Sequence, residues 1–367
     1  MPAASVGAPL APYQSVELGP WLDPAEALAR GQWIKWIGGA SNHDLVALED
    51  LAGLASLAGA HCLDVAADGA VVAAVRRGID WARGQGLPRA PWLMLSLSDG
   101  EDPHFRKAFF DPDRCPRDCP RPCARVCPAR AIGASGAVLT ERCYGCGRCL
   151  GACPLGLIEE HQQVLGAEQL APLVLRLAPD ALELHTSRGR GAAFARRLAQ
   201  LQALDLPLKL LSVSCGEGSE ARGPELAPGL QTPALATYLW QLHGLLRSTG
   251  WPLLWQLDGR PMTGDLGAGT AQAAVALLGH WRAALPPGLV QLAGGTNGDS
   301  LRRAAAAGFV GAPAAGGIAG VAYGGSARSL LQPFLVAAEE RGLGLLACPD
   351  LWPLALAALR QLWGQPR

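Results

Sequence analysis

Short apolar runs alternate with longer segments of helical periodicity along most of the chain. Eight of the runs are predicted to be β-strands: residues 33–41, 62–68, 91–100, 181–187, 207–218, 252–259, 288–298 and 316–328. Helical spacing of apolar residues follows seven of these runs, at residues 44–60, 70–86, 190–204, 236–248, 270–285, 300–308 and 329–342. This alternation is typical of βα units that surround a parallel sheet.

Eight predicted βα-type strands favour an α/β fold with a closed (β/α)₈ barrel, although a doubly wound sheet would show the same rhythm. A cysteine-rich segment interrupts the pattern after the third strand, where barrel enzymes carry their sites. We therefore predict a barrel-like domain with an insert after strand 3. The predicted segments are a flexible N-terminal tail (1–30), the first part of the barrel (31–100), the insert (101–165) and the remainder of the barrel (166–367).

Charge and composition narrow the class of protein. The 31 Lys and Arg residues balance the 31 Asp and Glu residues, so no global field draws the chain to nucleic acid or to an anionic membrane. The first twenty residues lack the basic and apolar regions of a signal peptide, and we expect a cytoplasmic protein. Residues 304–327 carry no charge, but their glycines favour a strand with its loops over a membrane span.

The insert contains eight of the eleven cysteines. Four of them, Cys143, Cys146, Cys149 and Cys153, have the C-x2-C-x2-C-x3-C spacing of bacterial ferredoxins and are followed by Pro154. This pattern predicts iron–sulfur ligands; zinc and unliganded structural thiols are the alternatives. The spacing does not match the C-x3-C-x2-C pattern of radical enzymes, and a block without histidine does not match Cys/His zinc fingers.

A second group of cysteines precedes the ferredoxin-like run, with three residues between successive members: Cys115, Cys119, Cys123 and Cys127. In two-cluster ferredoxins the fourth cysteine of each run reaches the other cluster. Crossover predicts one [4Fe–4S] cluster on Cys127, Cys143, Cys146 and Cys149. The other would lie on Cys115, Cys119, Cys123 and Cys153, where the wider spacing leaves a labile or [3Fe–4S] cluster as an alternative.

Seven arginines and four acidic residues lie between Asp111 and Pro154, which gives this segment a net charge of plus three before its thiolates are counted. Positive charge near a cluster would favour the reduced state and raise its potential. The alternative is that these arginines only solvate the surface of a small domain.

Several segments of the chain resemble the cyanobacterial light-dependent period (LdpA) family: residues 31–45, 62–68, 99–132, 142–158, 290–300 and 320–330. The resemblance extends from about Gly31 to Leu330. It implies an iron–sulfur protein that reports light-dependent redox state to the circadian clock. It also implies partners among the clock's input kinase and Kai oscillator components, and a quinone or photosynthetic electron carrier is a further expected partner.

Glycine pairs follow the last two predicted strands. Gly294 and Gly295, with Gly324 and Gly325, occupy the loops that bind phosphate or flavin mononucleotide (FMN) in many barrels. Plain barrel turns use the same residues. FMN binding here would make an electron-transferring flavoenzyme, which is the alternative to a non-enzymatic redox sensor; a purely structural role of the clusters is a third hypothesis.

Other residues with reactive side chains also have ordinary structural explanations. Polar residues after the third strand suit acid–base catalysis or a solvated hinge: Asp99, Glu101, Asp102, His104, Arg106 and Lys107. Cys215 is either a redox thiol or, like Cys62 and Cys348, a packed one. The eleven tryptophans fall mostly in apolar segments and are predicted to pack in the core. No catalytic residue is assigned.

Overall fold

The computed structural model describes residues 21–133, 136–162, 164–216, 232–259 and 269–364. Its strands are β1 (Trp33–Gly39), β2 (Cys62–Ala66), β3 (Trp92–Ser98), β4 (Arg106–Phe109), β5 (Glu159–Gln162), β6 (Ala181–His185), β7 (Leu210–Gly216), β8 (Leu253–Asp258), β9 (Leu289–Ala293) and β10 (Gly320–Tyr323). Eight of them form a closed barrel in the order β1-β10-β9-β8-β7-β6-β3-β2. All neighbouring pairs in the barrel are parallel. The predicted barrel is confirmed, and the doubly wound alternative was wrong.

The helices include the seven that the sequence predicted after its strands, together with five that it did not predict. They are α1 (Pro24–Arg30), α2 (Leu45–Ala58), α3 (Gly69–Gly84), α4 (Pro122–Arg125), α5 (Arg148–Ala152), α6 (Ala167–Leu177), α7 (Gly191–Gln202), α8 (Thr232–Leu246), α9 (Ala271–Trp281), α10 (Ser300–Ala306), α11 (Gly325–Glu339) and α12 (Trp352–Leu362). Local chemistry sets their ends: Asp68, for example, begins α3 by accepting hydrogen bonds from the N–H groups of Ala70 (2.8 Å) and Val71 (3.0 Å).

The lower end of the barrel, where the strands begin, is closed by apolar side chains. Trp33, Met94, Leu210 and Leu254 pack there with residues of α1. Because this end excludes water, polar chemistry inside the barrel is confined to the middle and to the upper end, where the strands finish.

Helix α1 corrects the predicted N-terminal boundary. Residues 1–20 of the predicted tail lie outside the described residues, but Pro24–Arg30 form a helix. Ala27 and Leu28 are buried against the lower end of the barrel. Residues 24–30 are therefore part of the folded body, because the apolar face of α1 covers the beginning of the strands.

A larger apolar core fills the space between the outer faces of the strands and the helices. Its bulkiest fully buried side chains include Trp36, Trp255, Trp281 and Trp363. All eleven tryptophans lie outside residues 101–165. Tryptophan packing is thus a property of the barrel and not of the cysteine segment.

The cysteine segment lies between β3 and α6. Its chain enters along β4 and leaves along β5, which pair antiparallel from Arg106 opposite Gln162 to Phe109 opposite Glu159. A small apolar cluster contains Phe110, Ile132 and Ile158 together with cysteines. The insert therefore has a core of its own, beside the upper end of the barrel.

The uncharged stretch at residues 304–327 is divided between the end of α10, strand β10 and the start of α11. Among the described residues, no helix is both long enough and apolar enough to cross a bilayer.

Candidate metal centre and barrel interior

Four cysteines of the insert line one pocket: Cys127, Cys143, Cys146 and Cys149. The pocket encloses about 450 Å³, including its opening to solvent. The structure thus brings together the four residues that crossover assigned to one cluster.

Backbone amides point at two of these sulfurs. Ala108 N–H donates to Cys143 Sγ (3.3 Å), and Ala131 N–H donates to Cys127 Sγ (3.2 Å). Such donors stabilise thiolates and cluster sulfur. Burial, followed by the neighbouring cysteines, raises the pKa of Cys149 to about 12. Four thiolates cannot share this pocket without a compensating cation, so the residues fit an iron–sulfur cluster.

Glycines make the wrapping loop of the pocket feasible. Gly145 and Gly147 both have φ of +75°, where L-residues with a side chain are strained. A Cβ on Gly145 would lie 2.2 Å from the carbonyl oxygen of Arg106. The Arg106 side chain in turn donates from Nε to the Gly145 carbonyl (2.8 Å) and pairs with Glu160 (2.6 Å). Arg106 therefore holds the loop against the β4–β5 pair.

Only three cysteines of the second predicted group pack together. Cys115, Cys123 and Cys153 belong to the same small apolar cluster, whereas Cys119 lies outside that cluster. Burial raises the pKa of Cys123. Burial also raises that of Cys153, but amides led by Leu157 N–H (3.4 Å from Sγ) outweigh it and lower the net pKa. Cys153 is thus prepared as a thiolate by the backbone that follows it.

The cysteine loop touches the barrel through a buried cation–π contact. The guanidinium of Arg328, on α11, lies 3.7 Å from the ring centroid of Tyr144, which is in the loop between Cys143 and Cys146. Arg328 Nη2 also donates to the carbonyl of Gly38, at the end of β1 (2.8 Å). Both Arg328 and Tyr144 are 7% exposed, so water does not screen this contact.

Polar contacts beside the cation–π pair extend the docking surface. Arg142 Nη2 pairs with Glu339 of α11 (2.8 Å). His43 N–H, in the loop between β1 and α2, donates to the carbonyl of Glu141 (3.0 Å). One face of the cysteine loop therefore rests on β1, on the loop after β1 and on α11.

The predicted acid–base residues after β3 have varied contacts. Asp99 accepts from Thr186 Oγ1 (2.6 Å) and pairs with Arg190 (3.0 Å), and the carbonyl of Glu101 accepts from the same arginine. Lys107 Nζ donates to the carbonyl of Thr140. These residues support the junction between barrel and insert.

Asp102 and His104 form a distinct pair at the same junction. Asp102 Oδ1 lies 2.7 Å from His104 Nδ1 and 3.9 Å from Nδ1 of His185, at the end of β6. Burial lowers the pKa of His185, but the hydrogen bond to Glu183 and the charge of Asp102 outweigh it and raise that pKa to about 9. Three side chains with metal-ligand atoms therefore converge here.

The predicted flavin glycines lie at the upper ends of adjacent strands. Gly294 and Gly295 follow β9 with positive φ, and Gly295 accepts from Thr270 Oγ1 through its carbonyl (2.6 Å). Gly324 and Gly325 begin α11, and no side chain among the described residues caps this helix. Both are the positions of ordinary barrel turns, and flavin or phosphate binding at them stays a prediction.

Sequence reasoning missed a buried ionic network in the middle of the barrel. Lys35 Nζ lies 2.9 Å from Asp64 and pairs with Glu183; each of these three side chains is at most 1% exposed. Burial lowers the pKa of Lys35, but the two carboxylates outweigh it and raise the net pKa, so the ammonium stays charged. Burial raises the pKa of Asp64 to about 6.

Hydroxyl and amide groups complete this network. Ser96 donates to Asp64 (2.7 Å) and Ser212 to Glu183 (2.8 Å). Gln256 Nε2 donates to Glu183 (2.9 Å), and Gln291 Nε2 donates to Gln256 (2.6 Å). A lysine held between carboxylates in this way is a packed ion pair and has no free lone pair for nucleophilic attack.

The three cysteines outside the insert are buried. Burial raises the pKa of Cys62 and of Cys215. Since the thiolate is the reactive form, burial favours a packing role for Cys62 and Cys215.

Family models match most of the chain. The LdpA Fe-S cluster-binding domain matches residues 115–164, and the Light dependent period A C-terminal domain matches residues 173–365. A curated protein of Synechococcus elongatus, named Light dependent period A, is 44% identical over 342 residues, which cover 93% of this chain and 93% of that protein. The chain belongs to the LdpA family. Its insert is accordingly an iron–sulfur cluster-binding domain.

The solved structures found to be similar to this LdpA-family chain share little sequence with it. Wild-type GGGPS from Thermoplasma volcanium has a TM-score of 0.40 at 9% identity, with 93% of this chain and 95% of that chain covered. The tryptophan synthase α-subunit of Pyrococcus furiosus has a TM-score of 0.41 at 10% identity, with 92% and 99% covered.

Proposed function

We propose that this LdpA-family protein is an iron–sulfur redox sensor that conveys cellular redox and light state to the circadian clock through cluster-dependent protein interactions. The observation that carries the proposal is the pocket of four cysteines whose loop docks on the barrel through Tyr144 and Arg328. The name of the Synechococcus relative supplies the connection with a light-dependent period.

The ligand assignment follows the grouping of the sulfurs. Cys127, Cys143, Cys146 and Cys149 would hold one [4Fe–4S] cluster. Cys115, Cys119, Cys123 and Cys153 would hold a second, and the position of Cys119 outside the packed group supports the [3Fe–4S] alternative for it. When bound, such clusters supply reversible one-electron chemistry.

The chain's own residues explain how a change of charge in the pocket would reach the surface. Tyr144 lies between two cysteines in sequence and under the guanidinium of Arg328, which also bonds to β1. In this buried setting a unit of charge interacts strongly with Arg328. We infer that extra negative charge tightens Arg328 toward the pocket, shifting the loop that includes Glu141 and Arg142 and the surface formed with α11.

The proposed partners are the clock's input kinase and Kai oscillator components. A quinone or a photosynthetic electron carrier is the proposed source of the redox signal. The net charge of zero favours neither nucleic acid nor an anionic membrane as a partner.

The first experiment is an anaerobic potentiometric titration of the full chain, followed by electron paramagnetic resonance. We expect reversible signals from two centres, with a three-iron signal from the Cys119 group after exposure to air. The Cys119→Ser variant should show this three-iron signal even without exposure to air, because Cys115, Cys123 and Cys153 would still hold three irons, and it should retain the signal of the pocket cluster. Redox-silent metal would favour a purely structural role.

The second measurement is the affinity of each proposed partner for the oxidised and the reduced protein. We expect a difference of at least tenfold, or about 1.4 kcal/mol. Equal affinities in both states would contradict the sensing proposal even if the clusters are redox-active.

An electron-transferring flavoenzyme is the second candidate function. The observation that favours it is the uncapped start of α11 beside the glycine turn after β9, at adjacent strand ends. Fluorescence of flavin released on denaturation would support this candidate, and its absence from protein with intact clusters would exclude FMN as a resident cofactor.

A further inference from the structure

We propose that Asp102, His104 and His185 bind a divalent transition-metal ion of the zinc or ferrous type at the upper end of the barrel. One ligand atom from each residue lies within 4.8 Å of the others. Two imidazoles and one carboxylate are a ligand set that such ions accept, with positions left for water or substrate.

His185 is oriented as a metal ligand would be. Its Nε2 lies 3.3 Å from Oε1 of the buried Glu183, a partner that fixes the ring and leaves Nδ1 for the metal. Nδ1 is buried and has no hydrogen-bond partner among the residues that the structure describes, although it faces Asp102. A buried polar nitrogen without a partner is unfavourable unless a ligand satisfies it.

The other two ligands come from the junction with the insert. Asp102 accepts from the N–H of His104 (2.8 Å), and this bond fixes the short turn Pro103–Phe105. The His104 and His185 rings lie 4.8 Å apart, and Phe105 packs edge-on against His185 (5.3 Å). The turn thus places a carboxylate and an imidazole over the end of β6.

Access and charge agree with a bound cation. The side chain of His104 is 29% exposed, whereas that of His185 is 6% exposed, so the site has a solvent side and a protein side. The carboxylates of Asp102 and Glu183 lie 3.9 Å and 3.3 Å from the two ring nitrogens of His185, and their negative charge favours a cation beside the ring. The ion would link the entrance of the insert to the barrel with ligands separate from the cysteines.

The test uses the full chain, purified anaerobically with its clusters, and Zn²⁺ as the probe. Zinc is added against a chromophoric chelator, and the zinc K-edge absorption of the bound ion is then recorded. We expect one bound equivalent with a nitrogen and oxygen shell at about 2.0–2.1 Å. A sulfur shell at about 2.3 Å, or no zinc bound in competition with the chelator, would overturn the proposal.

Two variants distinguish zinc binding at this site from zinc binding at surface histidines. His104→Gln, at the exposed side, should weaken zinc binding at least tenfold while cluster absorbance and the unfolding midpoint stay unchanged. His161→Gln, on the exposed strand β5, is the matched control and should bind zinc like the parent. Equal affinity in both variants would refute the assignment. Added Fe²⁺ that competes for the same equivalent would extend the site to iron. The result does not depend on redox sensing, since zinc is read apart from the clusters.

Discussion

At the scale of single residues, the shape of the cysteine loop depends on glycines that no other residue replaces without strain. Gly145 has a positive φ, and its Cα faces the backbone of Arg106 at a distance that leaves no room for a Cβ. Gly151, in α5, has open space around the equivalent position. The two glycines are close in sequence but differ in what surrounds them.

Gly145→Ala should displace the loop and weaken the pocket cluster. We expect a local destabilisation of about 1–3 kcal/mol, because the alanine would combine an unfavourable φ with a backbone clash. Iron and sulfide analysis with paramagnetic resonance should show loss of one cluster. Gly151→Ala is the control and should keep full iron content; equal iron content in the two variants would contradict this account of the loop.

The charge of Arg328 should raise the midpoint potential of the pocket cluster. Arg328→Gln removes a buried positive charge beside Tyr144, so the midpoint potential of the pocket cluster should fall. The expected change is on the order of tens of millivolts, since about 1.4 kcal/mol corresponds to 59 mV for one electron. The measurement is the same potentiometric titration.

Arg83→Gln is the control, because it removes an arginine charge at an exposed position. Arg83 is in the last turn of α3, which runs back toward the lower end of the barrel, and its side chain is 57% exposed. This variant should leave the potential unchanged. An unchanged or higher potential in Arg328→Gln would contradict the proposed effect of the Arg328 charge on the pocket cluster.

At the scale of elements, the start of β1 is joined to the turn before β2 by a neutral histidine. His61 Nδ1 accepts from the N–H of Ile34 (3.1 Å), and its ring stacks on Trp33. Burial lowers the pKa of His61 to about 4, and the charge of Asp23 only partly opposes this. The bond between these elements therefore requires the unprotonated ring.

Acid should weaken the fold through His61. Between the unfolded pKa of about 6.5 and the folded pKa of about 4, the unfolded chain binds more protons, so stability falls as pH falls through this range. The contribution at pH 5 is about 2 kcal/mol. Chemical unfolding of the parent and of His61→Gln at pH 7 and pH 5 measures it.

The His61→Gln variant should lose less stability than the parent between these two pH values. His280→Gln, at an exposed position of α9, should lose as much as the parent. The same pH dependence in all three proteins would assign acid sensitivity to other groups.

The strands and helices were the part of the structure that was predicted best from the sequence. The run 62–68, for example, lies between the predicted helices 44–60 and 70–86, and all eight predicted strands correspond to barrel strands. Helix α6 was not predicted, and Pro172 inside it interrupts the pattern on which such a prediction relies. Helix α1 was assigned to the tail because its seven residues are too few to show a period.

The polar interior of the barrel was not predicted. A strand sequence with one charged residue is equally typical of a strand that faces solvent. Only closure of the barrel turns Lys35 and Glu183 inward. A signal was nevertheless present: polar residues two apart occur in β3, β6, β7 and β8, as Ser96 and Ser98, Glu183 and His185, Ser212 and Ser214, and Gln256 and Asp258. A period of two on adjacent strands indicates one shared face. The predicted cysteine ligands, in contrast, lie close together in sequence, so their prediction needed no tertiary information.

At the scale of the whole molecule, the barrel interior is layered. Apolar side chains close the lower end, the ionic network fills the middle, and the histidine–carboxylate site lies at the upper end beside the insert. Lys35 balances two carboxylates that come from different strands, β2 and β6. Removal of its charge should therefore affect the closure of the entire sheet.

Lys35→Met should destabilise the barrel by about 3–5 kcal/mol, because it leaves Asp64 and Glu183 buried without a cation. Thermal or chemical unfolding measures the change. Lys209→Met removes a lysine that directly precedes β7, is 52% exposed and pairs with Asp180. That control should change stability by at most about 1 kcal/mol, and a comparable loss in both variants would contradict a special role of the interior pair.

The separation of tryptophans from cysteines has an optical consequence. Every indole emitter lies outside residues 101–165, where all the cluster cysteines lie. Iron–sulfur clusters absorb in the region of indole emission, so excitation energy passes from the barrel to the insert when clusters are present. The fluorescence lifetime of the unlabelled protein should therefore shorten as clusters assemble, and cluster loss would be visible as brightening without a dye or any substitution in the insert.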